Sequence, residues 1–465
     1  MGEKSTMVAY YTAILIHKNK EFMPLLPQNL KGALIAPVTR LSKTAICALG
    51  LLSLNGHAAT LKQASTEPNS SDKSIRAAVP FLFSSEDWGL TYGAAGVMSG
   101  VGQPQMTLFG TFLGSSKDNY LGYVGLYNMM IPGWDQVQFD LNILEADYKS
   151  STYFLPGNPD YPDESAGSRD SSYDNSVKTA AREQHYQLRM RYTLPVGAGR
   201  DGALMASARK SRGYQNAGYE WNPEDSGITT LELQPFYQSQ RLEQYQPEHD
   251  ADSVAGVRFI FEYDNRNSTS LPTRGNVTTL TYTKDWGSDD RPSWATMEFE
   301  FSQFLDLGSN SYMNQQVLAL NGWIADTPTW NDTTTVQGQA RYHRPPSYAG
   351  VTLGGWDKLR GYSTDRFHGR SAVSYTLEYR VMPKWQPMED MPVLGPLYDI
   401  PWWQWALFLD MGQISDRFSL SELHKDMKAS AGLGVRFKVE GVTVRADMAS
   451  GSESLFWRIF INQPF

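Results

Sequence analysis

Residues 371–381 read SAVSYTLEYRV. Val373, Tyr375, Leu377, Tyr379 and Val381 alternate with Ser374, Thr376, Glu378 and Arg380. A period of two is the signature of a β-strand, because successive side chains leave opposite faces of the pleat. One face here is purely apolar and aromatic, and the other carries full charges of both signs. A soluble sandwich would turn its apolar face to a core and its charges to water. A membrane barrel does the reverse, with an apolar face to lipid and a polar face to a lumen.

The pattern recurs in both directions from this stretch. Met297, Phe299 and Phe301 alternate with Glu298 and Glu300. Leu433, Val435 and Phe437 alternate with Gly434, Arg436 and Lys438, while Val444, Ala446 and Met448 alternate with Arg445 and Asp447. Tyr186, Leu188, Met190 and Tyr192 alternate with Gln187, Arg189 and Arg191. We take Glu298, Glu300, Arg380, Arg436, Arg445 and Asp447 as lumenal charges. After Ala59 no stretch approaches the length of a membrane helix, so a spanning chain must be a closed barrel, since lipid cannot satisfy an open sheet edge. Segments of this kind centre near residues 93, 109, 124, 141, 188, 207, 233, 259, 280, 299, 319, 376, 407, 433, 446 and 460. The expected fold is therefore all-β: a transmembrane antiparallel β-barrel of about 16 strands. An even count puts both termini on the periplasmic side. The 326–370 connection is then the long sixth extracellular loop, and the 148–182 segment falls on the periplasmic side. Its Asn and Asp residues fit a solvated loop better than a calcium site. Trp286, Trp294, Trp402, Trp403 and Trp457 lie near strand ends and are expected in the interfacial girdles.

Composition agrees. The 465-residue chain has a formal net charge of -8, and an acidic balance argues against a nucleic-acid partner. Lys31, Arg40 and Lys43 precede the apolar run Thr44–Leu54, which is followed by the small residues Ala58 and Ala59. That order is a secretory signal, so residues 1–58 form the signal region, with Met23 an alternative start. Cys47, the one cysteine, falls inside it, so no disulfide is expected. Residues 59–80 are expected as a short periplasmic segment and 81–465 as the barrel. The chain ends LFWRIFINQPF. Trp457, Ile459, Ile461 and the terminal Phe465 compose an amphipathic last strand ending on an aromatic, as an outer-membrane sorting strand does. Pro464 withholds one ladder donor.

Residues 351–380, VTLGGWDKLRGYSTDRFHGRSAVSYTLEYR, closely resemble the sixth loop and following strand of the BamA/TamA family of bacterial surface antigen barrels. Arg360, Gly361 and Tyr362 match that family's loop-tip motif. Tyr263–Arg266 (YDNR) with Pro272–Gly275 (PTRG) resembles its strand–turn–strand hallmark, through Asp264, Arg266, Pro272 and Gly275. Phe408–Gly412 resembles its lumenal aspartate strand, and Ala431–Arg436 the next one. The resemblance covers about 250–465. It implies a bacterial outer-membrane location and a loop arginine folded into the lumen against carboxylates at Glu378 and Asp410. The residues allow this on their own terms. Gly354, Gly355 and Gly361 permit a tight re-entrant path, and a guanidinium carried into a lumen needs a carboxylate partner. Family assembly factors carry POTRA modules before the barrel. About 20 to 30 residues between the signal and the first strand cannot hold one, so a barrel-only member is expected.

Three functions follow as alternatives. The resemblance implies an insertion or translocation barrel aiding outer-membrane protein assembly or export. Its partners would be outer-membrane lipid, unfolded outer-membrane or secreted client chains, and the machinery for its own insertion. A passive or gated channel is the second, since sixteen strands enclose an aqueous lumen. An outer-membrane hydrolase is the remote third. His185, His249, His343, His368 and His424 stand beside no nucleophile motif, and no metal or cofactor spacing is present, so the expectation is no enzyme, no cofactor and no metal.

Overall fold

The computed structural model describes residues 76–85, 89–155, 158–206, 227–243, 253–387, 400–439, 442–461 and 465, with backbone alone at 76–85, 89, 439, 442 and 459–461. The expected signal region, Cys47 and His249 lie outside them. The first strands are β1 (Arg76–Ser85), β2 (Gly89–Ser99), β3 (Thr107–Ser115), β4 (Tyr120–Met129), β5 (Val137–Tyr153), β6 (Val177–Thr193), β7 (Ile228–Leu242) and β8 (Ser253–Asp264). Next come β9 (Gly275–Asp285), β10 (Ala295–Gly308) and β11 (Met313–Asp326), then two small hairpins within one connection, β12 (Thr333–Val336) with β13 (Gln339–Tyr342) and β14 (Val351–Leu353) with β15 (Phe367–Gly369). The chain finishes with β16 (Ser371–Pro383), β17 (Trp402–Ser415), β18 (Lys428–Val439), β19 (Val442–Ser450) and β20 (Leu455–Ile461).

All but the two hairpins form one antiparallel 16-stranded sheet in sequence order, with β16 following β11. The sheet is curled around an interior. Ser270, in the β8–β9 turn, accepts from Lys438 Nζ on β18 at 3.3 Å and, through its carbonyl, from Thr443 Oγ1 on β19 at 3.4 Å. Leu271 beside it packs on Met382 of β16 and Trp402 of β17. Only a sheet that turns back on itself brings the middle strands against the late ones. The fold is a transmembrane β-barrel, and its faces divide as the alternation requires. Tyr375, Leu377, Met297, Phe299, Phe301, Leu433 and Leu188 point outward and are exposed, whereas Glu378, Arg380, Arg436, Arg445 and Asp447 point inward and are buried.

The total of sixteen strands hides two compensating differences. β1 precedes the first expected strand, because RAAVPFLFSS is apolar on both faces and contains Pro80, so period two is invisible in it. The centre of the strand expected near 207 lies outside the described residues. Residues 203–206 form a helical turn, and β6 pairs directly with β7 from Ala181↔Leu242 to Thr193↔Thr230. The shift reverses the side of the early connections. Both ends of the 148–182 segment are strand, the end of β5 and the start of β6, and the connection between them, residues 154–176, sits at the same end as the long β11–β16 connection, not at the opposite one. Ser171 accepts from Arg366 Nη1 at 2.8 Å, and His368 N donates to Gly167 O at 2.8 Å.

The interior is also less uniformly polar than expected. Beneath β3–β6 it is filled by Phe109, Leu113, Leu121, Tyr123, Tyr127, Leu144, Tyr148 and Tyr153. The charges concentrate elsewhere: on β5–β7, where Arg191 Nε donates to Glu232 at 2.7 Å, and on β16–β20. Of the expected girdle tryptophans, Trp286 and Trp457 are exposed and Trp403 is partly so, stacking edge-on against Trp385. Trp294 and Trp402 instead face inward and are fully buried, Trp294 against Phe236, Val254 and Tyr348. Position near a strand end does not decide which face a ring occupies.

Candidate functional site

The β11–β16 connection is the sixth at its end of the barrel, and it enters the lumen rather than standing over it. Its inner hairpin, β14–β15, pairs Val351↔Gly369 to Leu353↔Phe367. Val351, Leu353, Leu359, Tyr362 and Phe367 bury themselves on Trp323, Ala325, Ala372 and Ile414 of the inner wall. Gly354 turns the chain at φ +101, where a Cβ would meet the Ser363 carbonyl. Leu359 takes a left-handed φ of +50 although it is not glycine. Such a conformation persists only where surrounding packing over-determines it, and Leu359 is fully buried.

Arg360 follows at once, and its guanidinium is 1% exposed. Nε and Nη2 donate to the two carboxylate oxygens of Asp410 at 3.0 and 2.8 Å, a bidentate fork. Nη1 donates to Glu378 at 2.7 Å and to Asp447 at 3.3 Å. The Arg360 backbone N–H adds a bond to Asp410 at 3.0 Å, and the guanidinium lies 3.5 Å from the centre of the Phe408 ring. Thr376 and Ser430 hydroxyls complete the shell of Asp410 at 3.0 and 3.2 Å. Glu378 also accepts from Arg380 Nε at 2.7 Å and from Arg436 Nη2 at 2.9 Å. One loop residue is thus tied to β16, β17 and β19 together. In water such pairs contribute little, but here each partner is desolvated, so losing one leaves a charge stranded.

Gly361 and Tyr362 hold the tip against the far strands. A Cβ on Gly361 would collide with the backbone of Ser450 and Gly451 and with Ser430. Tyr362 Oη bonds Ala429 O at 3.3 Å and Ser452 Oγ at 3.1 Å. Two residues that sequence reasoning missed matter as much. Arg458 on β20 donates to the Gly355 carbonyl at 2.7 Å, the Tyr362 carbonyl at 2.6 Å and the Arg360 carbonyl. Arg366 joins Glu453 at 2.8 Å to Ser171 at 2.6 Å, linking three connections. The inward alternation of Arg458 with Trp457 was readable in the sequence, but its carbonyl partners were not. Arg445 anchors Asp357 at 2.7 Å and the Trp356 carbonyl at 2.9 Å.

The remaining expected residues lie apart from this cluster. Asp264 receives Arg266 Nε and Nη2, both at 3.1 Å, stiffening the β8–β9 turn at the opposite end. Gly275 ends that turn at φ +96, with the Asn265 carbonyl 2.5 Å from where a Cβ would be. Pro272 follows the buried Leu271. Glu298 accepts from Trp323 Nε1 at 3.0 Å and Glu300 from Asn321 Nδ2 at 2.9 Å, on the wall of β10 and β11. At the C-terminus the expectation needs correction. Trp457 is outward and exposed, but β20 ends at Ile461 and Phe465 does not extend it. Phe465 is buried inside, on Phe304, Val317 and Ala319 of β10 and β11. The side chains of Ile459 and Ile461 lie outside the described residues. The four described histidines are placed structurally: His185 is buried in the lumen, while His343, His368 and His424 bond Ser293 O, Phe154 O and Tyr375 Oη.

Residues 133–449 match the Omp85 superfamily domain. No curated protein matches the chain. Among solved structures it is similar to BamA from Haemophilus ducreyi lacking POTRA domains 1–3, at 15% identity over 84% of this chain and 69% of that one, with a TM-score of 0.44. It is similar also to CdiB from Acinetobacter baumannii, at 10% identity over 83% of this chain and 57% of that one (TM-score 0.45). For CdiB from Escherichia coli the figures are 12% identity, 83% and 60%, with a TM-score of 0.47. The chain spans less than two thirds of either CdiB chain. With most of its length matched by one domain family, and a barrel whose sixth loop is drawn into the lumen, the chain belongs to the Omp85 superfamily and is a bacterial outer-membrane β-barrel protein.

Proposed function

We propose that this barrel handles polypeptide clients, receiving an unfolded outer-membrane or secreted chain and passing it into or across the outer membrane. The observation that carries the reading is the loop arginine held by three buried carboxylates. A pore for small solutes gains nothing from a loop that fills its lumen and is fixed there by desolvated charge. A client-handling barrel needs a lumen that stays sealed while its wall is engaged. β20 has seven described residues, fewer than any other strand of the large sheet among the described residues, so any pairing these make at the edge rests on few ladder bonds. A client strand adding to such an edge would be bound by main-chain hydrogen bonds, largely independent of sequence.

The test is an insertion assay. The barrel is reconstituted in liposomes, and the folding rate of an unfolded small barrel is compared with that in empty vesicles and in vesicles holding an unrelated porin. Acceleration beyond the porin control, reduced in Arg360→Ala, supports client handling. An unaltered rate, together with steady single-channel conductance and solute flux, refutes it in favour of a channel.

A further inference from the structure

One surface connection folds back over the outside of the barrel. On β16 and β17, Thr376, Glu378, Asp410 and Ile414 face the lumen, so Val373, Tyr375, Leu377, Leu409, Met411, Gln413 and Ser415 face outward. Tyr375, Leu377, Leu409 and Met411 are exposed, as lipid-facing side chains are. Val373 and Gln413, paired with each other nearer the sixth-loop end, are each only 1% exposed. Residues 416–427, the β17–β18 connection, lie against this part of the wall. Gln413 Nε2 donates to the carbonyls of Lys425 and Asp426 at 3.1 and 2.7 Å. Ser415 Oγ donates to Glu422 at 3.0 Å, and the Tyr375 hydroxyl bonds His424 Nε2 at 2.8 Å. A single helical turn, Leu420–Leu423, is capped by the Ser419 hydroxyl. It buries Leu423 fully and leaves Leu420 exposed, with Phe418 exposed just before it.

The level of this contact follows from strand length. A tilted strand crosses a membrane in about 9–11 residues. At the opposite end of the same wall, Trp403 and the exposed Trp385 stack edge-on and mark the girdle. About ten residues along β17 from Trp403 reach Gln413. The connection that covers Gln413 therefore lies at the outer boundary of the hydrocarbon rather than above it. An amide facing lipid finds no partner there, and the Lys425 and Asp426 carbonyls supply one.

Charge selects the occupant of the connection's own exposed face. Asp416, Glu422 and Asp426 balance Arg417, Lys425 and Lys428. Arg417 lies 4.0 Å from Glu422, and Asp426 lies 3.6 Å from Arg169 of the β5–β6 connection. With no net charge to recruit a phosphate, the apolar side chains decide. Phe418 and Leu420 extend the lipid-facing belt of Tyr375, Leu377, Leu409 and Met411 without a break in chemistry.

We propose that the β17–β18 connection is a lipid anchor, with Phe418 and Leu420 inserted into the acyl-chain boundary of the outer leaflet. The occupant is lipid hydrocarbon, and the contact is driven by apolar burial and indifferent to salt. It is independent of the client-handling reading.

The experiment is spin-label accessibility on the refolded full-length chain in phospholipid liposomes, in a Cys47→Ser background. Labels are placed at Phe418→Cys, Leu420→Cys, Met411→Cys and Lys425→Cys, with oxygen and a water-soluble nickel chelate as collision partners on both sides of the bilayer. The ratio of oxygen to chelate collisions at 418 and 420 should match that at 411, exceed that at 425 severalfold, and stay unchanged in molar salt. In the double variant Phe418→Ser, Leu420→Ser, amide exchange across 416–427 should rise roughly 10-fold in liposomes, from the loss of two half-exposed apolar side chains. Chelate collisions at 418 and 420 as frequent as at 425, with exchange unaltered in the double variant, would place the connection in water and overturn the proposal. Low collision rates with both reagents, together with dipolar broadening between labels, would overturn it in favour of a second copy of this chain on the same face.

Discussion

Arg360→Ala removes four side-chain hydrogen bonds and the one cation that faces Asp410, Glu378 and Asp447 together. The three carboxylates are unequally affected. Glu378 keeps Arg380 and Arg436, and Asp447 keeps Arg445, but Asp410 keeps only hydroxyls and the backbone N–H of residue 360. Removing one partner of a buried ion pair costs about 3–5 kcal/mol, mostly from the charge left behind. The apolar anchors Leu359, Tyr362 and Phe367 remain, each contributing about 1.5–3 kcal/mol by burial. Their sum exceeds the loss, so the loop should stay docked in the mean structure and open far more often. At 1.4 kcal/mol per decade, the opening equilibrium rises roughly 100- to 4,000-fold. Amide hydrogen exchange over residues 351–370 reads this directly, with the strands β3–β6 as an internal control. Arg360→Ala combined with Asp410→Asn should recover part of the protection, because the stranded charge is gone. Unchanged exchange in Arg360→Ala would refute the idea that the buried ion cluster, rather than the apolar packing, sets how often the loop leaves.

Gly361→Ala should be at least as damaging as Arg360→Ala, since its methyl meets backbone at Ser450 and Gly451; loss of the folded band on unheated gels checks this. Tyr362→Phe keeps the ring and loses its hydroxyl bonds to Ala429 and Ser452, so a cost of about 1 kcal/mol in denaturant unfolding is expected. Gly275→Ala places a methyl 2.5 Å from the Asn265 carbonyl at φ +96, and should lower the melting temperature without changing exchange in the sixth loop. Burial lifts the Asp365 carboxyl to about 7, with the Thr352 hydroxyl offsetting only part of the rise. A folded pKa above the ordinary carboxylate value means that docking favours the protonated form. That stabilisation is complete in acid and fades as pH rises through about 7. Loop protection should therefore fall between about pH 4 and about pH 7 and level off above that, and Asp365→Asn should flatten the dependence.

Much of this molecule can be read from period two. Wherever lipid and lumen demand opposite chemistry, as along Ser371–Val381 and Ala295–Phe301, each side chain declares its face, and the barrel follows from local pattern alone. The inward placement of Glu378, Arg380, Arg436 and Asp447 was legible for the same reason. Where the lumen is itself apolar, beneath β3–β6, both faces look alike. β1 escapes the same reading because its own sequence, RAAVPFLFSS, is apolar at odd and even positions alike and holds Pro80. Tertiary structure alone decided what the loop arginine holds. Asp410, Glu378 and Asp447 lie 50, 18 and 87 residues away and converge only when the sheet curls. It also decided the side of the 154–176 connection, the inward turn of Trp294 and Trp402, and the burial of Phe465. Alternation tells which face a residue takes. Only the curling of the sheet tells which distant residue it meets across the lumen.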